Sequence, residues 1–192
     1  MSAVETFELN GVPVRDTFAE AFPIVAARLI VTATNERWAQ TASNEFCGFA
    51  TSVIACSAEA APERLLTPEE TPDGRPGISI LVFALSKDGL ATVVVDRVGQ
   101  CILTCPTTAC YDGLPDVEKS DRIAVGKQLR FFGDGHQISK KLGDRRFWRI
   151  PVMDGEFVCE DKIGTLKGIA GGNLLIGATD QASALRSEEG RG

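Results

Sequence analysis

Apolar positions along the chain fall into short runs between turn residues, and the period of each run decides the element it predicts. Residues 6–9 (TFEL) and 12–15 (VPVR) flank Asn10-Gly11, the dipeptide suited to a two-residue hairpin turn, so a hairpin is expected there. Phe18, Ala21, Phe22, Val25, Ala26 and Leu29 then recur at helical spacing behind Asp16 or Thr17 as a cap. They predict a helix in which Pro23 marks a kink or a boundary. Residues 29–34 (LIVTAT) read as a strand. Asn35 caps a second helix that carries Trp38, Thr41, Ala42 and Glu45 and ends near Gly48. Residues 52–56 (SVIAC) and 78–85 (ISILVFAL) read as strands on either side of a polar loop. Residues 91–103 (ATVVVDRVGQCIL) satisfy two periods at once. Three consecutive valines favour a strand, whereas Leu90, Val93, Val94, Arg97 and Val98 repeat at helical spacing with Asp88 near the start.

The second half is more broken. Residues 106–120 are polar and turn-rich, and residues 123–132 carry a strand that ends in FFGDG. Residues 145–151 and 156–159 predict a strand pair around the turn at 153–155, and residues 168–178 (GIAGGNLLIGA) a glycine-led strand. Thr179 or Asp180 opens a short helix, QASALRSEE, which is marginal by itself and reads as the end of a truncated chain. The sum is an α+β fold, with antiparallel or mixed sheets and helices on one face.

The stretch at 67–77 (TPEETPDGRPG) punctuates this pattern. Its prolines and glycines exclude helix and central strand, because proline lacks an N–H and fixes φ. A stiff loop bearing Glu69, Glu70, Asp73 and Arg75 is therefore expected at the mouth of a buried strand, either as a rigid surface turn or as a functional edge.

Composition narrows the classes of function. A chain of 192 residues with 44% hydrophobic and 24% charged residues is that of a soluble globular protein. The net charge of −6 argues against nucleic acid as a partner, which needs a basic face. No apolar run is long enough for a membrane span, and the start MSAVETFELNG lacks the features of a signal peptide, so the expected address is cytoplasmic. The six cysteines include no C-x-x-C pair and the only histidine is His136, so no metal site is expected. Most of the cysteines lie in apolar segments and read as buried, reduced thiols.

Seven strings, taken together and in order, resemble the formylmethanofuran–tetrahydromethanopterin formyltransferase family. They are NGVPVRDTFAEAF (10–22), GFATSVIAC (48–56), PEETPDGRPG (68–77), DRVGQCILTCPT (96–107), LRFFGDGHQ (129–137), IPVMDGEFVCED (150–161) and GIAGGN (168–173). The resemblance implies two ferredoxin-like α/β lobes, of which residues 1–149 are the first and residues 150–192 the incomplete beginning of the second. It implies a helix over 91–100 and a homo-oligomer, typically a tetramer, possible partners being other formylmethanofuran-processing subunits. Two departures stand out: His136 where tyrosine is expected, and the tail at 187–192, which does not look like the family's continuing helix.

The implied reaction moves a formyl group between the amine of methanofuran and a ring nitrogen of tetrahydromethanopterin, both as substrates, with no bound cofactor. Such a site needs donors for an oxyanion, a proton carrier, and exclusion of water. Asp134 and His136, beside flexible glycines, and Glu160, near the lobe boundary with Glu156 and Asp161, are the candidate acid–base groups. Gln100, Thr104 and Thr107 are candidate donors, and Asp73 and Arg75 candidates for lining the cleft. Arg145 and Arg146, in a cluster with Lys140, Lys141 and Arg149, are candidates for binding the anionic coenzyme tails. Cys105 lacks an activating base and is set aside as a nucleophile. Two alternatives remain beside the enzyme: a non-catalytic structural or assembly module, and a plain pterin-binding domain.

Overall fold

The computed structural model describes residues 5–17, 20–153, 155–172 and 175–189. In chain order the strands are β1 (Thr6–Leu9), β2 (Val12–Arg15), β3 (Phe22–Thr32), β4 (Glu59–Leu66), β5 (Gly77–Ala84), β6 (Ala109–Asp112), β7 (Arg122–Ala124), β8 (Ile138–Leu142), β9 (Arg145–Val152), β10 (Gly155–Glu160) and β11 (Lys162–Ala170). The α-helices are α1 (Glu36–Cys47), α2 (Lys87–Arg97), α3 (Gly126–Leu129) and α4 (Gln181–Glu189). Two compact units result, one of Met1–Phe22 with Ile169–Gly192 and the other of Pro23–Gly168.

In the smaller unit β1 and β2 form the expected hairpin, with Leu9 opposite Val12. Asn10 and Gly11 both take positive φ, 50° and 79°, as a primed turn matched to strand twist requires. The Asp180 carboxylate accepts from the Ser183 amide at 2.8 Å and so caps α4.

The larger unit is built on a sheet of nine strands among the described residues, in the order β4-β5-β3-β6-β10-β9-β8, with β11 pairing to β3 and β7. The β10–β6 pair is parallel, while β3–β5, β4–β5, β9–β10 and β8–β9 are antiparallel. Strand alternation gives the sheet two unlike faces. Leu29 and Val31 of β3, Ile78, Ile80 and Val82 of β5, Ile150 of β9 and Phe157 of β10 are buried in one core. Against them pack Ala39, Ala42 and Phe46 of α1, Leu90, Val93 and Val94 of α2, and Val98, Ile102 and Leu129. Helices α1 and α2 both contact β5, so they cover one face, as the α+β reading expects. The opposite face carries Arg28, Ile30 and Thr32 of β3, Ser79 of β5, Tyr111 of β6, Glu160 of β10 and Phe147 of β9, of which Thr32, Ser79, Tyr111 and Glu160 are also buried.

Several local expectations are corrected. The helix expected from Phe18 to Leu29 is instead strand β3 from Phe22, Phe18 itself lying outside the described residues. Ala27, Leu29 and Val31 are buried with a strand-like rhythm, and Pro23 sits harmlessly near the strand start. Residues 52–56 form a turn, and the strand comes later as β4, whose polar sequence and Pro62 suit an edge with a register shift between Pro62 and Arg64. The 67–77 loop contains one 3₁₀ turn, Pro68–Glu70, where proline at the first turn loses no bond. Residues 91–103 resolve as α2 continued by a π-helical turn, Val98–Ile102, in which the Leu103 amide reaches back to the Val98 carbonyl at 2.8 Å. The turn-rich region at 106–120 hides β6, a central strand buried at all four positions. Of the strand expected at 123–132 only β7 forms, before α3 and a 3₁₀ turn. β8 has no counterpart in the sequence pattern, and β11 overlaps the expected 168–178 strand only at Gly168, Ile169 and Ala170, Asn173 and Leu174 lying outside the described residues. β9 and β10 pair as expected, although Asp154 of their turn lies outside the described residues.

Candidate functional site

The loop at 67–77 folds back over the ends of β3 and β6 and builds a polar cluster on the open face of the sheet. One carboxylate oxygen of Asp73 accepts from the Thr32 hydroxyl at 2.7 Å, the Tyr111 phenol at 3.0 Å and Arg75 Nε at 2.8 Å. Arg75 Nη2 donates to Thr32 Oγ1 at 2.9 Å, and its Nη1 reaches the Thr107 carbonyl. The Thr34 amide donates to Thr107 Oγ1 at 3.2 Å. Thr107 is held at φ 65°, a left-handed conformation that a β-branched residue rarely takes. Burial pushes the Asp73 carboxyl up, but bonds from Thr32 and Arg75 and the arginine's charge outweigh it and hold it below its ordinary value. Burial and the neighbouring Asp73 charge push Tyr111 well above the ordinary phenol range, so it stays a donor.

A second cluster lies across Phe147. Its ring meets Tyr111 edge-on at 6.2 Å between centroids and lies 5.3 Å from the Arg145 guanidinium. Glu160 is only 2% exposed. It takes a two-pronged bond from Arg145, 2.7 Å from Nε and 2.6 Å from Nη2, and a third from the Asp112 amide at 2.9 Å. The bond to Glu160, more than any other influence, pushes Arg145 above its ordinary value. Asp112, also 2% exposed, accepts from the Leu114 and Gly164 amides, each at 2.9 Å, and from Arg122 at 2.6 Å. A buried charge must be paired and bonded to be tolerated, and both carboxylates are. Above these pairs opens a cleft of about 480 Å³, lined in part by Arg145, Arg146 and Glu160.

The structure thus brings Asp73, Arg75 and Thr107 together in one cluster, and Arg145, Arg146 and Glu160 around one cleft. The other candidates stand apart from both. Asp134 ends a 3₁₀ turn at φ 45° and is exposed, as is His136, whose amide bonds the Gly133 carbonyl at 2.8 Å. Gln100 and Thr104 are exposed on and just after the π-helical turn, and the Thr104 hydroxyl is spent on the Gln100 carbonyl. Of the remaining cluster bases, Arg149 pairs with Glu156, and Lys141 lies 4.0 Å from Asp144. Sequence reading missed Thr32, Tyr111, Asp112 and Arg122. Tyr111 is the only tyrosine of the chain, which is a signal, but it sits among turn residues that concealed its strand.

Among the described residues no helix is long and apolar enough to cross a membrane. All six cysteines are free. Cys110 and Cys159 are buried and Cys47, Cys101 and Cys105 pack on the core, while Cys56 instead faces Arg97 Nη2 at 3.5 Å.

Comparison with known proteins decides the family. The model of formylmethanofuran–tetrahydromethanopterin formyltransferase matches residues 7–152, and that of the family's proximal lobe matches residues 155–190. The chain belongs to this family. It is 55% identical over 181 residues to the formylmethanofuran–tetrahydromethanopterin formyltransferase of Methylococcus capsulatus, covering 94% of this chain and 60% of that one. Among solved structures, the Methanosarcina barkeri formyltransferase superposes with a TM-score of 0.87 at 47% identity, covering 95% of this chain and 61% of that one. A formyltransferase/hydrolase complex from Methylorubrum extorquens, solved with methylofuran, matches with a TM-score of 0.86 at 49% identity, covering 96% of this chain and 61% of the matched one. The chain therefore spans about three fifths of the length of these relatives.

Proposed function

We propose that this chain serves formyl transfer between formylmethanofuran and tetrahydromethanopterin. The observation that carries the reading is 55% identity to a named formyltransferase across 94% of the chain. In the reaction a nitrogen of the acceptor attacks the formyl carbon, a tetrahedral oxyanion forms, and the C–N bond to the donor amine breaks. One proton passes from the incoming to the leaving nitrogen.

The two clusters fit parts of this chemistry. Thr107, braced by Arg75 and the Thr34 amide, presents a hydroxyl whose own proton has no acceptor among the described residues and could be donated towards developing charge. Arg145 and Arg146 offer cationic groups to an anionic coenzyme tail. Glu160, sealed and bonded on both oxygens, suits holding Arg145 in place better than carrying a proton. Asp134 and His136 are solvent-facing and are the better proposed proton carriers. Gln100 and Thr104 remain proposed contacts to substrate from the helical side of the sheet. No bound cofactor is invoked.

The same reading includes a division into a first lobe over 1–149, with a ferredoxin-like arrangement, and the start of a second over 150–192. It includes assembly into homotetramers in the cytoplasm, an address in keeping with six unpaired thiols. A second reading is a module that assembles with formylmethanofuran-processing subunits. It is favoured by one relative, 50% identical, whose name makes it a component of a formyltransferase/hydrolase complex in Methylorubrum extorquens.

Formyl exchange between the two coenzymes, assayed with this chain and with a version extended to the relatives' length, tests both. Exchange by either protein supports the enzyme. No exchange by either, together with stable capture of the other components of such a complex, removes it in favour of the module.

A further inference from the structure

We infer that the cleft above Arg145 and Arg122 is a binding site for a multiply charged oxyanion, a phosphate or a cluster of carboxylates. Six cationic side chains line it: Lys119, Arg122, Lys141, Arg145, Arg146 and Lys162. They come from the loop before β7, from β7 itself, from the ends of β8 and β9, and from the first residue of β11, so only the folded topology gathers them. In a chain of net charge −6 this is a local reversal of sign.

The acids cancel part of it: Glu160 neutralises Arg145 and Asp112 neutralises Arg122, while Asp161 accepts from Trp148 Nε1 at 2.7 Å. The excess positive charge therefore rests chiefly on Lys119, Arg146 and Lys162. Asp144 is 89% exposed at the rim. The two innermost arginines are preset rather than mobile: Asp112 and the Pro115 and Val117 carbonyls fix Arg122, whose side chain is 14% exposed, and Glu160 fixes Arg145. Preset donors lose little freedom when a ligand arrives. Arg145 gives Nε and Nη2 to Glu160, and among the described residues its Nη1 is not bonded. Arg146 uses only Nη1, towards Ser139 at 2.8 Å, and the exposed amines of Lys119 and Lys162 have no hydrogen bond among the described residues. The unspent Nη1 of Arg145, the Arg146 guanidinium and the exposed ammonium groups of Lys119 and Lys162, over a floor held by the two paired arginines, are an arrangement for several oxygens of one anion. The volume, about 480 Å³, lies within the roughly 300–1,000 Å³ of small-ligand pockets.

The proposal rests on the formyl-transfer reading only in naming the anion as a coenzyme tail. Titration calorimetry at low salt with inorganic phosphate and with citrate tests it, using this chain, K119A/K162A, R146A, and R37A as a charge-removal control on the helix-covered face. At least one probe is expected to saturate, to weaken as salt rises, and to bind about tenfold more weakly to K119A/K162A and R146A, with R37A unchanged. Binding of citrate alone assigns the site to carboxylates, of phosphate alone to a phosphoryl group, and of both to either. Failure of both probes to saturate, or equal affinity across all four proteins, overturns the site. Citrate or phosphate binding keeps the site even where neither this chain nor its extended version exchanges formyl groups, an outcome that counts against the reading alone; exchange without binding does the reverse.

Discussion

Arg145 and Glu160 show how much one residue can carry when its partner is buried. Removing the guanidinium in R145A leaves a carboxylate 3% exposed at its side chain with only a backbone amide to stabilise it. A loss of about 3–5 kcal/mol is expected, read from urea unfolding; an unchanged midpoint would mean that Glu160 escapes to solvent. Asp73 supports a prediction about pH. Its carboxyl is held below the ordinary range in the folded chain, so its contribution to stability is complete above the unfolded value of about 3.9 and is lost as pH falls through the lower folded value. D73N should therefore show a shallower acid-side decline of unfolding free energy below about pH 4 than the parent chain. Parallel declines in the two proteins would contradict the assignment. At this scale sequence reading named Asp73, Arg75, Arg145 and Glu160 from charge and family pattern. It could not place them, because the partners Thr32, Tyr111 and Asp112 come from other strands.

Elements with strong local signals were legible, and those defined by their neighbours were not. Helix α1 was readable because Asn35 is a strong cap, its side chain accepting from the Trp38 amide at 3.1 Å. Replacing it in N35A should cost about 1 kcal/mol in thermal or urea unfolding without changing the α-helical circular dichroism of the folded state. The sequence of strand β3 predicts a helix because its apolar residues satisfy a helical period as well as the strand period; pairing with β5 and β6 on both sides settles the matter. β6 is only four residues long, and its place between β3 and β10 is what makes it a strand. The close approach of β11 to the segment after β6 is likewise tertiary. A Cβ on Gly164 would sit 2.5 Å from the Leu114 carbonyl oxygen, so G164A should destabilise by about 1–3 kcal/mol, with a lower urea midpoint as the readout.

For the molecule as a whole, the six thiols form a graded series. Cys110 and Cys159 lie side by side in paired strands and are fully buried. Burial raises Cys47, Cys101 and Cys105, whereas the Ala58 amide, with help from Arg97, lowers Cys56. A bulky disulfide reagent should therefore modify Cys56 first and reach Cys110 and Cys159 only on unfolding. Early labelling of the buried pair would mean that the sheet opens in the native state. By itself the sequence determined the family, the α+β class, the hairpins, α1 and the charge of the chain, since these follow from ordered motifs, caps and turn chemistry that act over a few residues. Only the tertiary structure decided that one sheet face is left to polar clusters and that six cations close on one cleft. Those groups lie on separate strands and loops, and their fields and hydrogen bonds act at distances that exist only once the sheet has formed.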